Sequence, residues 1–164
     1  MNEVISAVAQ EKQQPRVTFE SIDNLVQSTV GARLFTITEI LHDRKVAFRC
    51  YTNMPDAYPT TGEKPLRDDK WSEVVHNRHE TFVANSIDEI AEVFPDYELI
   101  QSLGCESVLN LPIVIEGELR GTLNLLDKAG YFTAERVKAA KTLQTAGTLA
   151  ILMAERSRTK GKQS

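Results

Sequence analysis

The chain has 164 residues, of which 41% are hydrophobic and 26% charged, with a formal net charge of −4. That length suits one domain of roughly 100–200 residues, and the composition is globular rather than disordered or fibrous. The acidic balance argues against a nucleic-acid-binding face, which is basic; no apolar run approaches the roughly 20 residues of a membrane span.

At the N-terminus Glu3 stands where a secretory leader carries positive charge, and the following apolar run is short. A cytoplasmic location is therefore expected. Residues 1–15 are expected to be a flexible arm, or a short helix completed by a partner. Thr18 can cap a helix to about Val30, with Phe19, Ile22, Leu25, Val26 and Val30 on one stripe. Arg33–Leu41 and Val46–Thr52 read as a hairpin around the polar turn His42–Asp43–Arg44. Asn53–Leu66, rich in proline, reads as an irregular loop.

Asp68 or Asp69 can cap a short helix over Lys70–Asn77. Thr81–Ala84 is a short strand candidate. Ser86-x-x-Glu89 matches a capping box opening a helix to Val93. A helical turn resumes over Asp96–Leu103, and Gly104 suits the left-handed residue that follows a helix. Glu106–Ile115 and Leu119–Asp127 form the clearest hairpin, and Thr133 caps a long helix to about Arg156. The expected organisation is a single domain over 16–157 followed by a disordered tail over 158–164. The fold class is α+β around a mainly antiparallel sheet.

Several ordered features carry a resemblance. Val30–Gly31–Ala32–Arg33–Leu34–Phe35–Thr36 opens the first strand, and Arg49–Cys50–Tyr51 precedes Tyr58–Pro59-x-x-Gly62-x-Lys64–Pro65. Trp71 follows on the next helix. Leu103–Gly104–Cys105-x-Ser107 leads to Asn110-x-Pro112 and then to Gly121–Thr122–Leu123–Asn124–Leu125. Over about residues 17–156 the chain resembles the GAF domain family. The resemblance implies a GAF-like (profilin-like) central antiparallel sheet of order 2-1-5-4-3, counting only the five strands named above. It also implies N- and C-terminal helices on one face, often paired between subunits, and a small-molecule pocket on the other. The residue set typical of cyclic-nucleotide-binding members is not recognisable, so a cyclic nucleotide is not favoured.

The candidate ligand-binding residues are Arg49, Tyr51, Tyr58, Lys64, Trp71, Tyr97, Cys105, Asn110 and Asn124. Amides inside apolar strands are costly unless paired, so Asn110 and Asn124 either orient a ligand or bond loop backbone. Arg49 and Tyr51 are expected on one face of their strand and Cys50 on the other. Arg49 can hold a carboxylate or phosphate, or pair with a surface acid. Arg33, Arg49 and Lys64 are the cations expected near the pocket, which points to a small anion. Trp71 serves a pocket or a core equally well.

Cys105 raises an alternative, a thiol enzyme such as the free methionine-R-sulfoxide reductases of this family, although no resolving cysteine is evident. Cys50 and Cys105 fall on strands three positions apart, about 14 Å at about 4.8 Å per strand, too far for a disulfide. His76 and His79, three apart at a helix end, make only a weak metal pair, and a solvated or helix-end role is the stronger reading. No metal and no cofactor are expected. Small residues along the last helix, Ala140, Ala146, Gly147 and Ala154, permit close approach to another helix or to the domain's own sheet. A homodimer through the terminal helices is expected. So is a signal leaving through that surface or a separate output protein. The functional expectation is a stand-alone, non-catalytic sensor or regulatory module that binds a small anion or metabolite. The third alternative is a purely structural dimerisation module.

Overall fold

A computed structural model describes residues 1–60 and 62–162. Six strands form one antiparallel sheet: β1 (Leu34–Leu41), β2 (Val46–Thr52), β3 (Lys64–Pro65), β4 (Phe82–Ala84), β5 (Ser107–Ile115) and β6 (Glu118–Asp127). Their spatial order is β3-β2-β1-β6-β5-β4. The five expected strands stand in the expected order. The difference is β3, a two-residue edge strand inside the segment read as irregular loop; it pairs Val46 with Pro65 and Ala47 with Lys64. Proline is tolerated there because an edge strand need not donate on its outer side.

Helices α1 (Asn2–Val8), α2 (Arg16–Thr29), α6 (Ala134–Lys141) and α7 (Gln144–Lys162) lie on one side of the chain, with α2, α6 and α7 against the sheet. The other face carries α3 (Lys70–Ser72), which continues into a π-helical turn over Glu73–Asn77, then α4 (Ile87–Ala91) and α5 (Tyr97–Ser102). Local chemistry sets these boundaries. The Asp69 carboxylate accepts from the Ser72 N–H, and Ser86 with Glu89 forms the reciprocal capping box. Glu116 and Gly117 both hold positive φ, the geometry of a two-residue turn whose twist matches its flanking strands.

Strand alternation divides the interior in two. Phe35 and Ile37 of β1 join Leu109, Leu111, Leu123 and Leu125 beneath the helices. Leu34 and Ile40 belong to a second cluster on the far face, with Val108 and Leu126. In β2 the alternation is interrupted. The β1 register runs from Tyr51 opposite Ile37 directly to Arg49 opposite Thr38, leaving Cys50 as an extra residue. Such a bulge turns the side chains on its two sides to opposite faces. Arg49 and Tyr51 therefore do not share a face, contrary to the expectation from simple alternation. Tyr51 packs under the helices against Phe19 and Phe35, and its hydroxyl donates to Asp23 of α2 at 2.7 Å.

At the N-terminus the short helix is found rather than the arm: α1 buries Val4 and Ala7 within the chain itself. The tail expected to be disordered from 158 is helical through Lys162, and residues 163–164 lie outside the described residues. Arg158 explains this extension. Its Nη2 and Nε reach the Glu39 carboxylate at 2.7 and 3.2 Å, and Glu39 is buried on the helix face of β1. That carboxylate holds the Arg158 guanidinium above its ordinary range. The long C-terminal helix is also two helices, parted at Thr142 and Leu143.

The small residues of α7 face the domain's own sheet. A methyl group at Gly147 would stand 2.3 Å from Ile113 Cδ1. One at Gly121 of β6 would stand 2.2 Å from Ile151 Cδ1 and 2.5 Å from the Thr38 carbonyl oxygen. Because that oxygen belongs to the backbone of the neighbouring strand, it cannot swing away. Gly121→Ala is expected to cost about 1–3 kcal/mol, a fall of about 3–10 °C in melting temperature for a chain of this size, read by calorimetry. Arg158→Met leaves Glu39 buried without its partner and is expected to cost about 2 kcal/mol, between the values for exposed and buried pairs. Adding Glu39→Gln should restore part of that loss in a double-mutant cycle.

Candidate functional site

On the face away from the long helices the sheet floors a cavity of about 220 Å³. Its floor is a polar row running across three strands. Thr36, Asn124 and Asn110 are directly opposite one another on β1, β6 and β5. Trp71 Nε1 donates to Asn110 Oδ1 at 2.9 Å, and Asn110 Nδ2 donates to Asn124 Oδ1 at 2.8 Å. Asn124 Nδ2 then donates to the Thr36 and Thr38 hydroxyls at 3.0 and 3.1 Å. Both amides are buried, and each is paired along this row. The expected bonds to loop backbone are not made: the partners of these asparagines are side chains, Trp71 of α3, each other, and Thr36 and Thr38 of β1.

A second row runs parallel to the first. Arg49, Thr38 and Thr122 are cross-strand neighbours on β2, β1 and β6, and all three line the cavity. The Arg49 guanidinium lies 3.8 Å from the centroid of the Tyr58 ring and donates to the Pro59 carbonyl at 2.8 Å. Neither Arg49 nor Lys64, at the mouth, has a carboxylate partner among the described residues. Thr122 is 1% exposed, and its hydroxyl has no hydrogen-bond partner among the described residues.

Two cross-links hold the roof. The Tyr58 hydroxyl donates to Asp96 Oδ2 at 2.7 Å, and Arg67 Nη1 donates to the Val93 carbonyl at 2.6 Å. They tie the segment between β2 and α3 to the segment between α4 and α5. Burial, with Asp96 alongside, pushes the Tyr58 hydroxyl above its ordinary range against the opposing pull of Arg49. Phe94, Leu66 and Ile100 supply apolar wall.

Of the residues expected at a binding site, Arg49, Tyr58, Lys64, Trp71, Asn110 and Asn124 line this cavity together. Tyr51, Tyr97 and Cys105 do not. The bulge sends Tyr51 to the opposite face. Tyr97 is half-buried against the second apolar cluster, outside the cavity lining, with its hydroxyl towards Glu98. Cys105 is fully buried below the cavity in the second apolar cluster. Burial and Asp127 push its thiol up to about 11, and burial with Glu39 pushes Cys50 to about 12. Neither environment favours the thiolate that nucleophilic chemistry requires.

His76 lines the cavity wall and meets His42 edge to face, with ring centroids 5.6 Å apart. Burial, then His42 and His79, push its pKa below the ordinary value. His42 Nε2 lies 2.6 Å from the Leu119 carbonyl, so that nitrogen carries the proton. Among the described residues no group of three His, Cys, Asp or Glu side chains is placed to hold a metal. No helix among them is long and apolar enough to cross a membrane.

Thr36, Thr38, Thr122, Arg67 and Asp96 were not anticipated. A signal for three of them is in the chain: Thr36-x-Thr38 and Thr122-x-Asn124 each place two polar residues on one face of an apolar strand.

A family model described as GAF domain matches residues 16–152. A search of curated proteins returned no match. The GAF domain of a phosphoenolpyruvate-protein phosphotransferase from Coxiella burnetii superposes with a TM-score of 0.68 at 16% identity, covering 98% of this chain and 94% of that one. The corresponding Acinetobacter domain gives 0.68 at 13% identity, covering 94% and 93%. The GAF domain of a two-component sensor histidine kinase from Bacillus halodurans gives 0.67 at 13% identity, covering 87% and 95%. At these identities the superpositions speak for the fold, while the family model spans most of the sequence; the chain belongs to the GAF domain family.

Proposed function

We propose that this protein is a cytoplasmic, non-catalytic sensor module whose cavity binds a compact small molecule, an organic anion or metabolite. The observation that carries the reading is the cavity itself: apolar walls around a satisfied amide floor, with two unpaired cations at one side. Ligand sites combine apolar lining with a few fixed polar groups in this way, at volumes of about 300–1,000 Å³ for drug-sized ligands. The smaller volume here suits a smaller molecule. Binding would act by population shift, favouring the arrangement in which the Tyr58–Asp96 and Arg67–Val93 cross-links are closed. The thiol-enzyme alternative has less support, because its nucleophile would be a buried, protonated Cys105.

Output would pass through the terminal helices, either to a second copy of the chain or to a separate protein. Ile5 of α1 and Leu152 of α7 are 54% and 44% exposed. Small residues on α7 do not support this pairing, since they pack inward. Light scattering at micromolar concentration is expected to give a dimer mass, reduced to that of a monomer by Ile5→Glu with Leu152→Glu. A monomeric parent protein would overturn the dimer.

A thermal-shift screen of small organic acids tests the cavity. A compound present at about 100 times its Kd adds about 2.7 kcal/mol, or about 5–10 °C for a chain of this size. Ala47 lines the cavity, and Ala47→Phe is expected to fill it and abolish the shift. A screen without any stabilising compound, or a shift undiminished in Ala47→Phe, would overturn this site.

A further inference from the structure

We infer that the cavity selects an organic carboxylate, seats its head on Arg49, Thr38 and Thr122, and rejects the corresponding amine. This inference rests on the cavity being the ligand site. Its starting point is Trp71. An indole N–H can only donate, so its bond to Asn110 fixes that amide with the oxygen towards Trp71 and the nitrogen towards Asn124. Asn124 is fixed in turn, and its nitrogen supplies both Thr36 and Thr38. The whole row therefore donates in one direction, ending on two hydroxyls.

A hydroxyl that accepts a hydrogen bond becomes a stronger donor itself. The protons of Thr36 and Thr38 have no acceptor among the described residues, and both side chains line the cavity. Beside Thr38 stand Arg49, with N–H groups to spare beyond its bond to Pro59 and its contact with Tyr58, and the unpartnered hydroxyl of Thr122. This hydroxyl is not sealed off but opens on the cavity, where a ligand atom can take the place of water as its partner. Carboxylates accept at both oxygens and donate nothing. The one carboxylate lining the cavity, Asp96, is engaged by Tyr58. An ammonium head would therefore meet a guanidinium with no free anion beside it.

The test compares benzoate, benzamide and benzylammonium, one ring with three heads, by titration calorimetry on the full chain. Benzoate is expected to bind at least ten-fold more tightly than benzamide, and benzylammonium not measurably. Thr122→Val removes a hydroxyl that makes no bond within the protein, so melting temperature should hold or rise while benzoate affinity falls about ten-fold. Thr122→Ser should keep the affinity. Trp71→Phe frees Asn110 to reverse, and should narrow the gap between benzoate and benzamide. Benzylammonium or benzamide binding as tightly as benzoate would overturn the carboxylate seat while leaving the cavity a ligand site. So would unchanged benzoate affinity in Thr122→Val. Failure of all three probes in the parent protein, with a filled Ala47→Phe variant behaving identically, would overturn the seat and the site together.

Discussion

A chain of amides through an apolar interior is tolerated only when every donor and acceptor is met, because each orphaned group costs about 1–3 kcal/mol. In the row from Trp71 through Asn110 and Asn124 to Thr36 and Thr38 both amides are paired at oxygen and at nitrogen, and the two terminal hydroxyls keep their own protons on the cavity side. Among the described residues no fully enclosed side-chain nitrogen or oxygen lacks a partner. The row also fixes positions. It joins β1, β6 and β5 side by side and pins α3 to the sheet through Trp71, so the helix that walls the cavity is held by the same bonds that floor it. Shifting any strand by one residue would break the row and turn its polar side chains into the opposite apolar cluster.

That sheet buries both faces, which is why its central strands show little of the alternation seen in half-exposed sheets. Residues on the helix face are met by close approach: Gly121 lets Ile151 of α7 reach the backbone, and Gly147 admits Ile113. Residues on the other face are covered by short helices and loop, which pack less completely and leave the cavity. The difference between long, regular cover and short, irregular cover therefore determines on which side of the sheet the cavity lies.

The hairpins, the capping box at Ser86 and the Gly104 turn were legible because each rests on local chemistry or on a pattern within one element, whereas the strand order followed only from the family resemblance. Six cavity residues were legible for a similar reason: an amide in an apolar strand or an aromatic in a proline-rich loop is conspicuous alone. Tyr51 was misplaced because the bulge at Cys50 is a property of two strands in register, invisible in either one. Thr38 and Thr122 were passed over because threonine is an ordinary strand residue. Their meaning comes from standing opposite each other and beside Arg49. The helical extension past Arg158 depends likewise on Glu39, 119 positions earlier in the chain.

β1 connects the two faces most directly. Thr36 and Thr38 present hydroxyls to the cavity, while the intervening Ile37 and the following Glu39 pack beneath the helices. Thr38 and Glu39 are joined by one planar peptide unit and held in register by β2 and β6 on either side, and Glu39 is bonded to Arg158 near the end of α7. β2 repeats the arrangement across its bulge: Arg49 faces the cavity and Tyr51 holds Asp23 of α2. Two adjacent strands thus each carry a polar contact to a ligand face and a polar contact to a terminal helix, within two residues of each other. A packed interior does not absorb small displacements gradually. Under the function proposed above, a ligand drawing Arg49 and Thr38 together would act on the Tyr51–Asp23 and Glu39–Arg158 contacts as a pair, and the relative setting of α2 and α7 would be the quantity it changes.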